Sequence, residues 1–236
     1  MKKHKLILIV LVVLFFLGCQ NKNFLKRMQE NEEGVRNPST IPELEEAISK
    51  YERRVEDIML AQNRIAIWHK MLGTRYMDSK MYLKALDSFT KALEYYPDNH
   101  NLYYQVGLCA SHIAKKNLTV SVDEGKDAAY YNNIAVNAYL TALEIQPNYN
   151  SAAYALSVLY VYELNESEKA IPLLQALLQR DSKNYDAMFV LAAAYYLSQD
   201  YNEAIKTYRY IIENTKDKSL IDSAEKNILQ IEGEKR

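Results

Sequence analysis

A pattern of small and aromatic residues recurs along this sequence with a basic spacing of 34 residues, lengthened in the second and third units, and it restricts the possible folds more than any other feature. It is clearest as Leu72-Gly73-x-x-Tyr76, followed at fixed distances by Ala85, Phe89, Ala92 and Pro97. A repeat of this length is typically a pair of helices that must stack on neighbouring pairs to bury its apolar face. The pattern therefore predicts an open array of helical hairpins.

Each position in the pattern has a physical reason. Gly73 lets the two helices of the hairpin approach closely, and Ala85 is the small residue where they cross. Tyr76 and Phe89 fill the space between the helices. Pro97 ends the second helix, because proline disfavours a helical conformation in the residue before it.

Three more units follow the first. The second has Tyr103, Val106, Gly107, Ala110, Ala135, Tyr139, Ala142 and Pro147. The third has Leu156, Ser157, Tyr160, Ala170, Leu174 and Leu177, and the fourth has Met188, Leu191, Ala192, Tyr195, Ala204 and Tyr208. The second unit carries an insertion of 16 residues near Lys115 to Tyr131, which is either a recognition loop or an extension of the helices.

These positions resemble the tetratricopeptide repeat (TPR), and the resemblance extends from about Ile65 to Lys218. It implies an all-α, TPR-like α-α solenoid of about four helical-hairpin repeats. The repeats fall at about 66–99, 100–149 (with the insertion at 115–131), 150–184 and 185–218. Residues 219–231 form an amphipathic C-terminal helix, which we expect to cap the last repeat. The predicted helical domain spans residues 41–236.

A long helical segment precedes the repeats. Thr40 and Glu43 have the spacing of a capping box at its start. The stretch from Pro42 to Gln62 carries apolar residues at helical spacing, within one long helix or two helices end to end. The stretch contains fewer than three clean heptads, which is too few to predict a coiled coil. We therefore expect its apolar face to cap the first repeat.

The N-terminus has the organisation of a secretory signal peptide, with a basic start and then 12 apolar residues, Leu6 to Leu17. That run is too short to span a membrane. The sequence Phe16-Leu17-Gly18-Cys19 resembles the bacterial lipobox, which implies that residues 1–18 are removed and that Cys19 is acylated. Residues 19–40 are then a flexible, lipidated tether. In the sorting pattern of such lipoproteins, Gln20 favours the outer membrane, with the domain facing the periplasm.

The sequence indicates neither an enzyme nor a nucleic-acid-binding protein. The 29 Lys and Arg residues balance 30 Asp and Glu residues, so there is no excess of positive charge for a phosphate backbone. No metal-ligand spacing, phosphate-binding loop or nucleophile motif is present. We expect His69 and Cys109 to lie in the core, and we predict no catalytic residue, metal or cofactor.

The resemblance places the concave groove of the array on the first helix of each repeat. The predicted groove residues are Lys70, Thr74, Tyr104, Leu108, Tyr154, Val158, Phe189 and Tyr196. Because the first helices of the third and fourth repeats are apolar on nearly all sides, something must cover them. That cover is a hydrophobic ligand, a partner segment, another copy of the chain, or the array itself. The Lys and Asn residues of the family's carboxylate clamp are mostly missing, so we do not expect capture of a peptide C-terminus.

The function predicted from these features is a non-catalytic, membrane-anchored scaffold of the bacterial cell envelope. Such a scaffold would bind an envelope protein through its Tyr-rich groove, and homo-oligomers are possible. The alternative is a companion of a periplasmic solute-binding transport system that handles a hydrophobic ligand.

Overall fold

The computed structural model describes residues 38–117 and 127–234, which contain α-helices and no strand. The helices are α1 (Ile41–Asp78), α2 (Tyr82–Leu93), α3 (His100–Asn117), α4 (Ala128–Ile145), α5 (Asn150–Tyr162), α6 (Ser167–Arg180), α7 (Tyr185–Leu197), α8 (Tyr201–Asn214) and α9 (Lys218–Glu234). The predicted all-α solenoid is confirmed. The predicted signal peptide, Cys19, most of the tether and positions 118–126 of the insertion lie outside the described residues.

The chain divides into two units, Met1–Ala61 and Gln62–Arg236. Helix α1 is a single helix of 38 residues that begins in the first unit and ends in the second. At its start the Glu43 carboxylate accepts hydrogen bonds from the backbone N–H groups of Ser39, at 2.9 Å, and Thr40, at 3.0 Å. These bonds lower the pKa of Glu43 to about 2, because they stabilise its charged form. The predicted capping interaction of Glu43 is therefore present.

The large apolar side chains of the first unit are exposed. The series is Ile41, Leu44, Ile48, Tyr51, Val55, Ile58, Met59 and Leu60, each at least 44% accessible. We had expected burial of this stretch in a cap, and that expectation is wrong for its side chains. The periodicity predicted a helix correctly, but periodicity alone does not say what the apolar face contacts.

The helices of the second unit pack in chain order. From α2 to α9, each helix contacts the next one, and the first helices α3, α5 and α7 also contact one another in sequence. Fully buried leucines fill the middle of the array: Leu156, Leu174 and Leu177. Helix α9 packs on α8 and α7 and buries Ala224 and Ile231, which confirms the C-terminal capping helix.

Three of the turns between paired helices contain a residue with positive φ. These residues are Lys80 (56°), Asn165 (53°) and Gln199 (63°). In the first of these turns, the backbone N–H of Lys80 donates to the carbonyl oxygen of Met77, and the N–H of Met81 donates to the carbonyl oxygen of Tyr76. Two such bonds around a left-handed residue form a Schellman motif, which satisfies carbonyl groups at the helix end.

The insertion in the second repeat lengthens its helices. Helices α3 and α4 each have 18 residues, whereas α5 has 13 and α6 has 14. The added turns bury Ile113, Ala114 and Tyr131 in a small cluster, against which Tyr82 of the preceding hairpin packs. In its described part, the insertion is therefore a helix extension with its own core.

Candidate binding surface on the first helices of the repeats

The eight predicted groove residues lie on the first helices of the four hairpins, α1, α3, α5 and α7. Lys70 and Thr74 on α1 are exposed, and the other six are partly exposed. Those six are Tyr104, Leu108, Tyr154, Val158, Phe189 and Tyr196. None of the eight is fully buried by its own chain, so each keeps some surface for a partner.

Tyr104 is held by aromatic neighbours. Its ring meets the ring of Tyr149 edge-on with centroids 5.4 Å apart, and lies 6.1 Å from that of Tyr139. The Tyr149 hydroxyl in turn accepts a hydrogen bond from Asn101 Nδ2 at 3.1 Å. Burial raises the pKa of Tyr104, and the proximity of Tyr149 raises it further. The side chain is therefore a neutral, positioned aromatic group with one accessible side.

The aromatic surface continues on the third and fourth hairpins. Phe189 lies 5.6 Å from Tyr208 between ring centroids, and Tyr196 lies 5.8 Å from Tyr201. Partial burial raises the pKa of Tyr154, and the nearby carboxylate of Asp186 adds to the effect. These rings offer apolar area together with hydroxyl groups, a combination suited to contact with a partner chain.

The array itself covers much of the apolar surface that the sequence left unexplained. In α5 the buried side chains include Leu156, Leu159 and Val161. In α7 Val190, Leu191 and Ala194 are buried among neighbouring helices. Packing within the array thus accounts for most of these two helices, and the accessible remainder includes Tyr154, Phe189 and Tyr196 together with Val158 and Leu197.

Several tyrosines have a role that sequence reasoning missed. Two of their hydroxyl groups link the two arms of one hairpin: Tyr96, just after α2, donates to Asn63 Oδ1 of α1 at 2.9 Å, and Tyr185 of α7 donates to the Asn214 carbonyl of α8 at 2.6 Å. Gln175 Nε2 also donates to the Tyr195 hydroxyl at 2.8 Å. The chain has 20 tyrosines but only 5 Phe, and part of this excess serves these hydrogen bonds.

Three side chains with possible chemical reactivity, Cys109, His112 and His69, lie in different surroundings. Cys109 is fully buried, and burial raises the pKa of its thiol to about 12, so the reactive thiolate is suppressed. The ring of His112 stacks on that of Tyr82, with the ring centroids 4.5 Å apart. His69 is partly exposed, so the prediction that it lies in the core is wrong. Over residues 38–117 and 127–234, no three His, Cys, Asp or Glu side chains are grouped to hold a metal ion. Within the same ranges, the helices are too short or too polar for a membrane span.

Comparison with known proteins supports the fold assignment. The family model described as a tetratricopeptide repeat matches residues 162–228. A protein of Borreliella burgdorferi described as a TPR repeat-containing protein is 27% identical over 210 residues. That match covers 86% of this chain and 89% of the relative.

Two solved structures share the architecture. TTC0263, a thermophilic TPR protein of Thermus thermophilus, has a TM-score of 0.56 and 16% identity, covering 80% of this chain and 92% of that one. YrrB, described as a TPR protein with an unusual peptide-binding site, has a TM-score of 0.55 and 22% identity. The match covers 86% of this chain and 97% of that one. The chain therefore shares the fold of tetratricopeptide-repeat proteins, and residues 162–228 match the model of that repeat.

Proposed function

We propose that this protein is a non-catalytic adaptor, anchored by lipid in a bacterial cell envelope, that binds a segment of a protein partner. The observation that carries this proposal is the row of partly exposed aromatic residues on successive first helices, Tyr104, Tyr154, Phe189 and Tyr196. Repeat arrays use such extended surfaces to bind partners. The peptide-binding site named for YrrB, a protein of similar fold, agrees with this use.

The chemistry of the surface favours a partner segment with apolar side chains. Leu108 and Val158 lie on the same helices as the tyrosines and are also partly exposed. Lys70 is the one cation among the eight residues. An amphipathic helix or an extended segment can place its apolar residues on such a surface while its polar groups stay in water.

The anchor is the second part of the proposal. The lipobox-like sequence ending at Cys19 supports acylation and an envelope location, with Gln20 favouring the outer membrane. Two or more acyl chains hold a protein stably on a membrane, whereas one holds it only marginally. Mass spectrometry of the mature N-terminus tests this directly. We expect an acylated Cys19 as the first residue, and loss of the Cys19→Ser variant from the membrane fraction.

The binding surface is tested by photo-crosslinking in cells. A photoreactive amino acid replaces Tyr104 or Tyr154 on the first helices. In separate variants it replaces Leu140 or Tyr210, which are exposed on second helices at 39% and 46%. We expect the first two positions to crosslink the same protein and the second two to leave that protein unlabelled. Crosslinks confined to Leu140 or Tyr210 would show that the partner binds elsewhere.

A double substitution gives a second readout. Tyr154→Ala with Phe189→Ala removes two partly exposed rings, and we expect it to reduce crosslinking from Tyr104 at least about tenfold. Leu140→Ala with Tyr210→Ala is the control, since it removes apolar area from second helices instead. Undiminished crosslinking in the first pair contradicts the proposed surface. A small apolar molecule retained there, without a crosslinked protein, supports the solute-transport alternative instead.

A further inference from the structure

The exposed apolar side chains at the start of α1 follow a regular heptad. Counting from Ile41, the a positions are Ile41, Ile48 and Val55, and the d positions are Leu44, Tyr51 and Ile58. Their spacing alternates between three and four residues from Ile41 to Ile58, whereas the stretch from Pro42 to Gln62 lacks the first a position and so holds fewer than three clean heptads. In a helix these six side chains fall within an arc of about 100°. Ile41 can serve as the first a position because the helix already begins at this residue.

This face is accessible along its whole length. The exposed fractions run from 44% at Leu44 and Tyr51 to 74% at Ile41. A continuous apolar stripe on a helix of globular proteins is normally buried against another element. A strict three-and-four spacing is matched by a second helix that carries the same repeat, because side chains then interlock at every turn.

We propose that residues 41–61 form a parallel, two-stranded coiled coil with the same segment of a second copy of this chain. The a positions carry the first argument. All three are β-branched, and β-branched residues at a combined with leucine at d favour parallel dimers. At the d positions, Leu44 is the leucine of that combination, and Tyr51 and Ile58 occupy the other two.

Charges beside the stripe determine the orientation. The e positions are Glu45, Glu52 and Met59, and the g positions are Ala47, Arg54 and Ala61. In a parallel pair, each g residue contacts the e residue of the following heptad in the other chain. Ala47 then lies near Glu52 of the other chain, and Arg54 lies near its Met59. No like charges meet in that arrangement. An antiparallel pair brings e positions together, and Glu45 then faces Glu52 of the other chain with repulsion between carboxylates.

A parallel arrangement also places both N-termini at the same end. That geometry suits two chains anchored in one membrane through Cys19, although the dimer itself does not depend on the anchor. Dimerisation would bring two repeat arrays into one complex, so that a partner with two binding segments gains avidity. The coiled coil and the aromatic surface are separate features and can fail independently.

Disulfide trapping in membranes from cells that express the full chain tests both pairing and orientation. In a parallel dimer the two copies of residue 44 share one layer, within the distance that a disulfide spans. We expect Leu44→Cys to give a dimer band after mild oxidation. Glu46→Cys on the outer face is the matched control and is expected to stay monomeric. The unsubstituted chain reports any background from Cys19 or Cys109.

Light scattering on the full chain in mild detergent gives the oligomeric state. We expect twice the mass of one chain, falling to a single mass when Ile48→Lys and Val55→Lys place cations at two a positions. Ser49→Lys with Glu56→Lys introduces the same residues at b positions and should leave the dimer intact. The proposal is wrong if the unsubstituted chain is monomeric. It is also wrong if the chain carrying Ile48→Lys and Val55→Lys still has the mass of a dimer. A dimer that Leu44→Cys does not trap overturns the parallel orientation.

Discussion

Gly73 in α1 lies directly against the ring of Phe89 in α2. A Cβ atom added to this glycine would stand 2.7 Å from Cε1 of Phe89, closer than real carbon contacts come. Phe89 is fully buried and has no room to retreat. The same relationship holds between Gly107 and Tyr139 in the second hairpin. In both hairpins the glycine is present because the aromatic ring occupies the place of its side chain.

Replacing either glycine with alanine should destabilise the array. Alanine normally improves a helix by about 1 kcal/mol over glycine, but here the added methyl group must displace a buried ring. We expect Gly73→Ala and Gly107→Ala each to lower the free energy of unfolding by about 1–3 kcal/mol. Urea denaturation followed by circular dichroism at about 222 nm measures the effect.

Gly233 in α9 provides the control for this pair. A Cβ atom there meets nothing within 4 Å. Gly233→Ala should therefore be neutral or stabilising, by no more than about 1 kcal/mol. If all three substitutions had the same effect, the close approach of ring and backbone would not be what selects glycine at positions 73 and 107.

Lys80 and Gln199 occupy left-handed backbone conformations, which are unfavourable for residues with a side chain. Glycine adopts this conformation without strain. We expect Lys80→Gly and Gln199→Gly each to raise the free energy of unfolding by about 0.5–1 kcal/mol. Lys226→Gly, the same change within α9, should instead lower it by about 1 kcal/mol. A loss of stability in all three variants would contradict the turn geometry.

Cys109 should be unreactive in the native protein. Its sulfur is fully buried beside Met77 Sδ at 3.2 Å, and burial raises the pKa of the thiol to about 12. We expect alkylation at about pH 8 to be at least about 100-fold slower than in urea, with mass spectrometry identifying the modified peptide. Ser223→Cys, at an exposed position of α9, is the reference thiol. Equal rates at the two positions would show that Cys109 is accessible.

Glu43 should titrate well below an ordinary glutamate. Its pKa in the folded chain is about 2, against 4.5 for an unperturbed side chain. Because the folded pKa is the lower one, the capping interaction is fully present above about pH 4.5 and is lost as the pH falls through about 2. NMR titration of the side-chain carboxyl carbon measures this, with Glu43→Gln to assign the resonance. A midpoint near the unperturbed value would mean that the bonds to Ser39 and Thr40 are not formed in solution.

The repeat pattern was the most informative part of the sequence because it reflects local and nearest-neighbour packing. Glycine opposite an aromatic ring, small residues at crossings and a C-terminal amphipathic helix all follow from contacts within one or two hairpins. The ends of α6 and α8 needed the structure, because no proline marks them. After α6, Asn184 caps the start of α7, where its Oδ1 accepts from the N–H of Ala187.

Helical periodicity and repeat spacing are visible in the amino-acid sequence, so an array of paired helices could be predicted without coordinates. The burial of a given apolar residue depends on tertiary packing. Val161 and Ile48 are both apolar residues on helices, yet the first is 3% exposed and the second 56%. The difference arises from whether a neighbouring helix lies against that face, and a periodic pattern carries no information about its neighbour.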